Sequence, residues 1–330
     1  MQPFVVSLGD PAGVGPEVTA RAWEARDRLN LPPFMAVGDA ASIRATWAGP
    51  IALIDGASQC AAAFPDALPV WHIEDSGPLT PGQPTIEGAH CALHSLELGV
   101  GLARSEEAAA LITAPVCKDQ LYSVGFTHAG QTEFIADRCG VSRTNAVMVL
   151  AGPGLRVVPI TVHVPFRDVP DLLTQDLIVV RAQAAARGLA RSFGIANPRL
   201  ALAGLNPHAG ENGALGSEEQ EILIPAIARL REEGMMITGP HSPDAMFTPD
   251  MRAQYDAALC LYHDQALIPL KALYFDEGVN LTLGLPIVRT SPDHGTAFNI
   301  AGTGMASPGP MISAIQMAQT ICQTRARTGS

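Results

Sequence analysis

Short apolar or β-branched runs alternate along this chain with longer Ala-rich segments of helical period, and that alternation leaves few architectures open. FVVSL is followed by VTARAWEARDRL and then by FMAVGD; further strand-like runs stand at ALIT, AVMVL, RVVPITVHV, LALAGLNPH and AALCLYH. Strands separated by helix-length connections pair in parallel, with the helices packed over the sheet. The pattern therefore predicts an α/β protein with a mainly parallel sheet. With 330 residues, 47% of them hydrophobic, the chain has enough apolar material for two cores.

The last three of those runs each end in histidine: His163, His208 and His263. Ligands of open α/β sheets bind outside the carboxyl ends of the strands, so these imidazoles are candidates for one shared metal ion. They lie tens of residues apart, unlike zinc-finger or HExxH ligands, so only their equivalent positions in the sheet support the reading. Neutral imidazole suits zinc and other divalent first-row metals, and three protein ligands leave coordination positions open, as catalysis requires. Against this stands the plain alternative that each histidine is a hydrogen-bonded polar cap.

Other candidates gather in glycine-rich and polar loops. LGDPAGVGPEV links the first strand to a helix; Gly9, Gly13 and Gly15 would let a ligand approach the backbone, and Asp10 offers a carboxylate. GxGxxG occurs nowhere, so no nucleotide is held by the usual Rossmann fingerprint. TAPVCK and HAGQTEF place Lys118, Gln131, Thr132 and Glu133 at loop-to-helix transitions, where they either contact a substrate hydroxyl or phosphate or simply begin helices. Asp264, Gln265, Lys271, Asn280 and Arg289 follow His263 without an amphipathic pattern, and Lys and Arg together can clamp a phosphate. The Gly/Thr/Asn-rich stretch 278–310 reads as built around a ligand, and the Pro/Gly-rich stretch 77–84 as a surface loop.

A net charge of −11 argues against nucleic-acid and anionic-membrane partners. Six cysteines without a CxxC pair suit reduced thiols. The first residues carry no basic and apolar leader, and no apolar run approaches the ~18 residues of a membrane span. A cytoplasmic protein is expected.

The motifs GDPAGVGPE, TAPVCK, GQTEF, THVPF, LNPHAGE, YHDQALIPLK and GVNLTLGLPIVRTSPDHGTAFNIAGTG occur in one order along nearly the whole chain, and in that order it resembles the 4-hydroxythreonine-4-phosphate dehydrogenase family of pyridoxal phosphate biosynthesis. The resemblance puts the metal on His163, His208 and His263, and the substrate on Gln131, Thr132, Lys271, Asn280 and Arg289. It departs at Gln131 and Cys117, where many members carry His and Asn.

A more distant likeness joins GDPAGVGPEV and HGTAFNIAG to the isocitrate and isopropylmalate dehydrogenases. It implies two α/β/α domains with a cleft between them, and NAD or NADP bound without GxGxxG near Asp10, Gly13, His294, Gly295, Thr296 and Asn299. The expected domains are 1–120 with 275–330, and 121–274, in a homodimer with the site at its interface.

The implied reaction is metal-dependent, NAD(P)-linked oxidation of 4-phosphooxy-L-threonine, with the product losing CO2 to give 3-amino-2-oxopropyl phosphate. Zinc comes first among the metals, with magnesium or cobalt as alternatives. Asp264, Asp244 and Lys271 are the catalytic candidates: Asp264 or Asp244 to hold a histidine tautomer or relay the proton, and Lys271, with Arg289, to neutralise substrate anions. The rival readings are a related dehydrogenase of another phosphorylated hydroxy acid or a dihydrodiol, and a metal-dependent phosphatase or lyase.

Overall fold

Twelve strands form among the described residues of the computed structural model, which are 2–73, 76–77 and 79–329. They are β1 (Phe4–Ser7), β2 (Phe34–Gly38), β3 (Ile51–Leu53), β4 (Leu68–His72), β5 (Ala110–Thr113), β6 (Val147–Gly152), β7 (Leu155–Pro159), β8 (Leu200–Ala203), β9 (Ile237–His241), β10 (Ala257–Cys260), β11 (Val279–Leu283) and β12 (Arg289–Pro292). The chain divides into two compact units, one of residues 1–139 and 286–322, the other of residues 140–285 and 323–330.

In the first unit the strand order is β3-β4-β2-β1-β5-β12, every neighbour parallel. β1, β2 and β5 are buried along their whole length, which is why FVVS, FMAVG and ALIT read as continuous rather than alternating apolar runs. The helix Gly15–Glu24 carries Pro16 in its first turn, which the fixed φ of proline suits, with Glu17 at the positive helix end. Helix Ile86–Arg104 is capped by Thr85, whose hydroxyl accepts the Gly88 N–H at 3.0 Å.

In the second unit the order is β11-β6-β7-β10-β8-β9. β7, β10, β8 and β9 are parallel, whereas β6 pairs antiparallel with both β7 and β11. Only Pro153 and Gly154 separate β6 from β7, a connection that permits nothing but a hairpin. Met148, Leu150, Val157, Ala258, Leu267 and Leu270 form a core between this sheet and the helix His263–Tyr274.

The boundaries differ from those expected at 120 and 275. Helix Gln131–Arg138 stays with the first unit, β11 joins the second through its ladder to β6, and the last eight residues also belong to the second. Among the described residues no helix is long and apolar enough to cross a membrane.

Candidate active site

The three histidine-terminated runs become neighbours in the second unit: β10 lies between β7 and β8, all parallel, and the histidines follow their carboxyl ends. Pairing continues past β7 and β10, with Ile160 N–H donating to Cys260 O at 2.7 Å and the Thr161 hydroxyl to Leu261 O at 2.7 Å. That extension carries His163 and His263 to a ring-centroid separation of 5.8 Å. His163 holds a left-handed φ of 56°, an uncommon conformation for a residue with a Cβ and one that concentrates at functional sites.

His263 opens its helix, with Nδ1 2.7 Å from Asp264 Oδ1. With Asp264 accepting from Nδ1–H, the ring's lone pair is on Nε2, the arrangement in which a histidine is presented to a metal. The two rings, Phe166, Tyr262 and Asp264 line a cavity of about 300 Å³. Behind it Gln265 is buried and ties two strand ends together, its Nε2 donating to Gly204 O at 2.7 Å and its Oε1 accepting the Leu261 N–H at 2.6 Å.

His208 takes a different path. Residues 208–212 all have positive φ, between 43° and 80°, so the chain leaves β8 in a left-handed coil. Buried Glu219 anchors it: Oε1 accepts the N–H groups of Leu205 and Asn206, each at 2.8 Å, and Oε2 accepts Asn206 Nδ2 at 2.9 Å. Burial pushes this carboxyl up, but the donors of Asn206 and Leu205 outweigh it and hold the carboxyl below its ordinary range. Asp244 is also held low, first by the Ser242 hydroxyl at 2.5 Å and more weakly by the charge of His208.

Among the described residues no group of three or more His, Cys, Asp or Glu is arranged to hold a metal ion. Of the expected trio, His163 and His263 have their rings near each other, and His208 follows β8 in the left-handed coil. The donors that meet are imidazoles, one with a carboxylate 2.7 Å from its Nδ1, and they fit a nitrogen-preferring divalent ion.

Two of the other candidates for substrate binding, Lys271 and Asn280, also lie in the second unit. Lys271 is half-buried on the His263–Tyr274 helix, and Asn280 is half-buried on β11, with a buried Oδ1 that has no hydrogen-bond partner among the described residues.

In the first unit Arg289 sits on β12 with 4% exposure; Nη2 donates to Thr113 Oγ1 at 2.8 Å, and Nη1 lies 3.5 Å from Thr132 Oγ1. Burial pulls its guanidinium down to about 10, opposed by the Glu133 carboxylate. Gln131, first residue of its helix, donates from Nε2 to Ala114 O at 3.1 Å, while Oε1 is buried with no hydrogen-bond partner among the described residues. Arg289, Thr132 and Gln131 therefore cluster, as a phosphate or carboxylate site needs. Thr113 had no signal in the sequence beyond closing an apolar run.

Three loops also meet in the first unit. Val14 N–H donates to Thr296 O at 3.0 Å, Gly82 N–H to Ala12 O at 2.7 Å, and Gly302 N–H to Glu17 Oε2 at 3.1 Å. Stretch 79–84 is a surface loop, none of its residues buried, pinned at Gly82 to the loop after β1; Pro78 lies outside the described residues.

The glycines serve packing between backbones. A Cβ on Gly9 would sit 2.2 Å from Pro115 O and one on Gly15 2.2 Å from Leu8 O, so at these two the space expected to admit a ligand is taken by the protein itself, whereas one on Gly13 would lie 3.1 Å from Thr296 O, a tight but not closed contact. Asp10 is buried, accepts the Ala12 N–H at 3.0 Å, and has its carboxyl pushed up by burial. His294 Nδ1 contacts Gly295 O at 2.9 Å, Thr296 is half-buried, and Gly295 and Asn299 are exposed.

Residues 31–318 match the family described as pyridoxal phosphate biosynthetic protein PdxA. A 4-hydroxythreonine-4-phosphate dehydrogenase of Erythrobacter litoralis is 54% identical over 98% of each chain, and one of Zymomonas mobilis is 52% identical over 98% of this chain and 97% of its own. The crystal structure of 4-hydroxythreonine-4-phosphate dehydrogenase from Klebsiella pneumoniae superposes with a TM-score of 0.87 at 38% identity, covering 98% of this chain and 100% of that one.

Proposed function

Because the chain belongs to the PdxA family of pyridoxal phosphate biosynthetic proteins, we propose that it oxidises 4-phosphooxy-L-threonine to 2-amino-3-oxo-4-phosphooxybutanoate, which loses CO2 to give 3-amino-2-oxopropyl phosphate. The observation that carries the site assignment is the approach of His163 to His263, with Asp264 fixing one ring. When bound, a divalent ion supplies the positive charge that acidifies an alcohol and polarises a carbonyl, and NAD(P) supplies the hydride acceptor.

His163, His208 and His263 are the residues that would hold the ion, and a set made wholly of imidazoles puts zinc ahead of magnesium. Asp264 orients His263 through Nδ1, and Asp244 is the second candidate for that role or for relaying the proton. The Lys271 ammonium neutralises an anionic group of the substrate. Arg289 and Thr132 bind the phosphate, with the amide of Gln131 and the first N–H groups of its helix completing the anion site. The buried acceptor of Asn280 takes a hydrogen bond from a substrate donor group. Asp10, Gly13, His294, Gly295, Thr296 and Asn299 form the cofactor side.

The full set of metal ligands draws on two copies of the chain, His208 and His263 at one ion coming from different copies. Apolar surface suited to such a dimer adjoins the histidines. Ile268 is 65% and Phe275 73% exposed, seven residues apart on one face of the stretch that begins at His263, and Phe166, stacked edge-on against Tyr262, is 66% exposed.

His208→Ala and His263→Ala, prepared separately, should each lose NADH formation with the phosphorylated substrate while keeping their thermal unfolding midpoints within a few degrees. Co-expressed, they should recover about a quarter of the wild-type rate, since about half of the dimers are mixed and each of those has one intact site. Wild-type turnover by either single variant after chelation would end the metal assignment, and no recovery on co-expression would end the two-copy arrangement.

A further inference from the structure

Lys118 has no part in the reaction above, yet it stands at the start of the helix that carries Thr132. Helix Gln131–Arg138 is preceded by Gly130, where a Cβ would lie 3.2 Å from Glu133 Oε2 and 3.7 Å from both Cε and Nζ of Lys118. Gly130 has extended backbone, φ −173°, which any residue adopts, so no turn requires glycine there. A larger side chain at this position would instead fill the space in which the tip of the lysine lies.

The segment that leaves β5 brings Lys118 to this place. Thr113 Oγ1 accepts from Arg289 Nη2 at 2.8 Å, and Ala114 O accepts from Gln131 Nε2 at 3.1 Å, so residues 113 and 114 already border the anion site. The chain then begins helix Lys118–Ser123. Such carboxyl ends of strands are where open α/β sheets bind ligands.

The plain alternative is an exposed lysine spread into water, and two observations oppose it. As first residue of its helix, Lys118 puts an ammonium at the positive end of the helix dipole, where a cation is unfavourable and a local rule is broken without local gain. Lys118 also forms no hydrogen bond or ion pair among the described residues, although the same Gly130 position adjoins Glu133 Oε2, which is buried and without a hydrogen-bond partner among them. An ammonium that passes a lone buried carboxylate oxygen without pairing is available to a third group.

The chemistry of the substrate supplies that group. At pH 7 a phosphate monoester carries about −1.5 to −2. The Glu133 carboxylate, whose charge acts on Arg289, works against such an anion, and the Lys118 ammonium is the group at this helix start that offsets it.

We propose that Lys118 is a further phosphate-binding residue, whose ammonium moves onto the substrate phosphate at the start of helix Gln131–Arg138; this rests on the assignment of Thr132 and Arg289 to the phosphate. A compact ammonium on a flexible four-carbon stem acts as a point charge and needs no fixed fork geometry.

Steady-state kinetics of the intact enzyme and calorimetric titration with inorganic phosphate test the proposal. Lys118→Met should raise KM for the phosphorylated substrate about tenfold, the equivalent of one charge-assisted hydrogen bond, leave kcat within about threefold, and weaken inorganic phosphate by a similar factor. Lys118→Arg keeps the charge and should recover most of both losses. Lys118→Met that binds phosphate as the wild type does would overturn the proposal; if Thr132→Val nevertheless weakens phosphate, the anion site itself stands. Weakening by Lys118→Met with none by Thr132→Val would keep the lysine and end the Thr132 assignment. Equal losses in Lys118→Met and Lys118→Arg would make the lysine a packing residue beside Gly130 and would also overturn the proposal.

Discussion

Glu219→Gln separates the folding of the His208 loop from the folding of the protein. Four non-glycine residues, His208, Ala209, Glu211 and Asn212, hold left-handed backbone there, which costs roughly 1–2 kcal/mol each, or roughly 4–8 kcal/mol together. Opposing that strain, the buried carboxylate accepts three hydrogen bonds, each worth roughly 1.5–3 kcal/mol to a charged acceptor, so anchor and strain are of one size.

Glutamine keeps the shape, but its remaining oxygen makes only neutral bonds to Leu205 and Asn206, worth about 0.5–1.5 kcal/mol each, and its amide nitrogen faces the Asn206 donor. The anchor then falls below the strain, and residues 207–213 should leave the left-handed path for much of the time. The expected outcome is a kcat lowered by about ten- to a hundredfold, faster amide exchange confined to 205–213, and a urea midpoint that moves far less than the loss of activity suggests.

The pH dependence has a definite sign. A carboxyl held below its unfolded value of about 4.3 stabilises the fold above that pH, and the contribution fades as pH falls through the folded value; the glutamine variant should lack this part of the acid transition. Activity within twofold of the wild type, or a global loss of stability that accounts for all of the lost activity, would refute the assignment of Glu219 as the anchor of this loop.

Asp264→Asn should weaken metal binding about ten- to a hundredfold, because an amide no longer fixes the His263 tautomer; competition with a chromogenic chelator measures it, and an unchanged affinity removes Asp264 from that role. Arg289→Lys should chiefly raise KM for the phosphorylated substrate and leave kcat within a few fold. In the wild type the Arg289 guanidinium, brought down to about 10 by burial, is charged throughout the neutral range and loses its proton as pH rises through that value. KM should therefore climb above about pH 9, and a KM that stays flat to pH 11 would exclude Arg289 from phosphate binding.

The positions of His163, His208 and His263 beyond adjacent parallel strands were legible because a buried parallel strand writes itself as an uninterrupted apolar run, and the chain marks where each run stops. What the chain does next was not legible. Five successive left-handed residues after β8 depend on Glu219, and SEEQE reads locally as a solvated run of charge although Glu219 is 2% exposed. The N-terminal loop misled in the same way. Gly9 and Gly15 read as openings for a ligand, yet the space of each missing Cβ is claimed by Pro115 or Leu8, the first distant in sequence.

In these loops one rule separates what sequence reveals from what it hides. A side chain's position along a strand follows from local periodicity, whereas the direction of a loop is set by a polar partner whose distance along the chain carries no pattern. Gln265 shows the difference within one residue. It stands two places after His263, where the sequence singled it out as atypical, but its function is to join Leu261 and Gly204, the ends of β10 and β8, and that pairing exists only once the strands are neighbours. Substitutions at Gln265 and Glu219 should consequently impair the histidine site as surely as substitutions of the histidines, through geometry rather than through ligation.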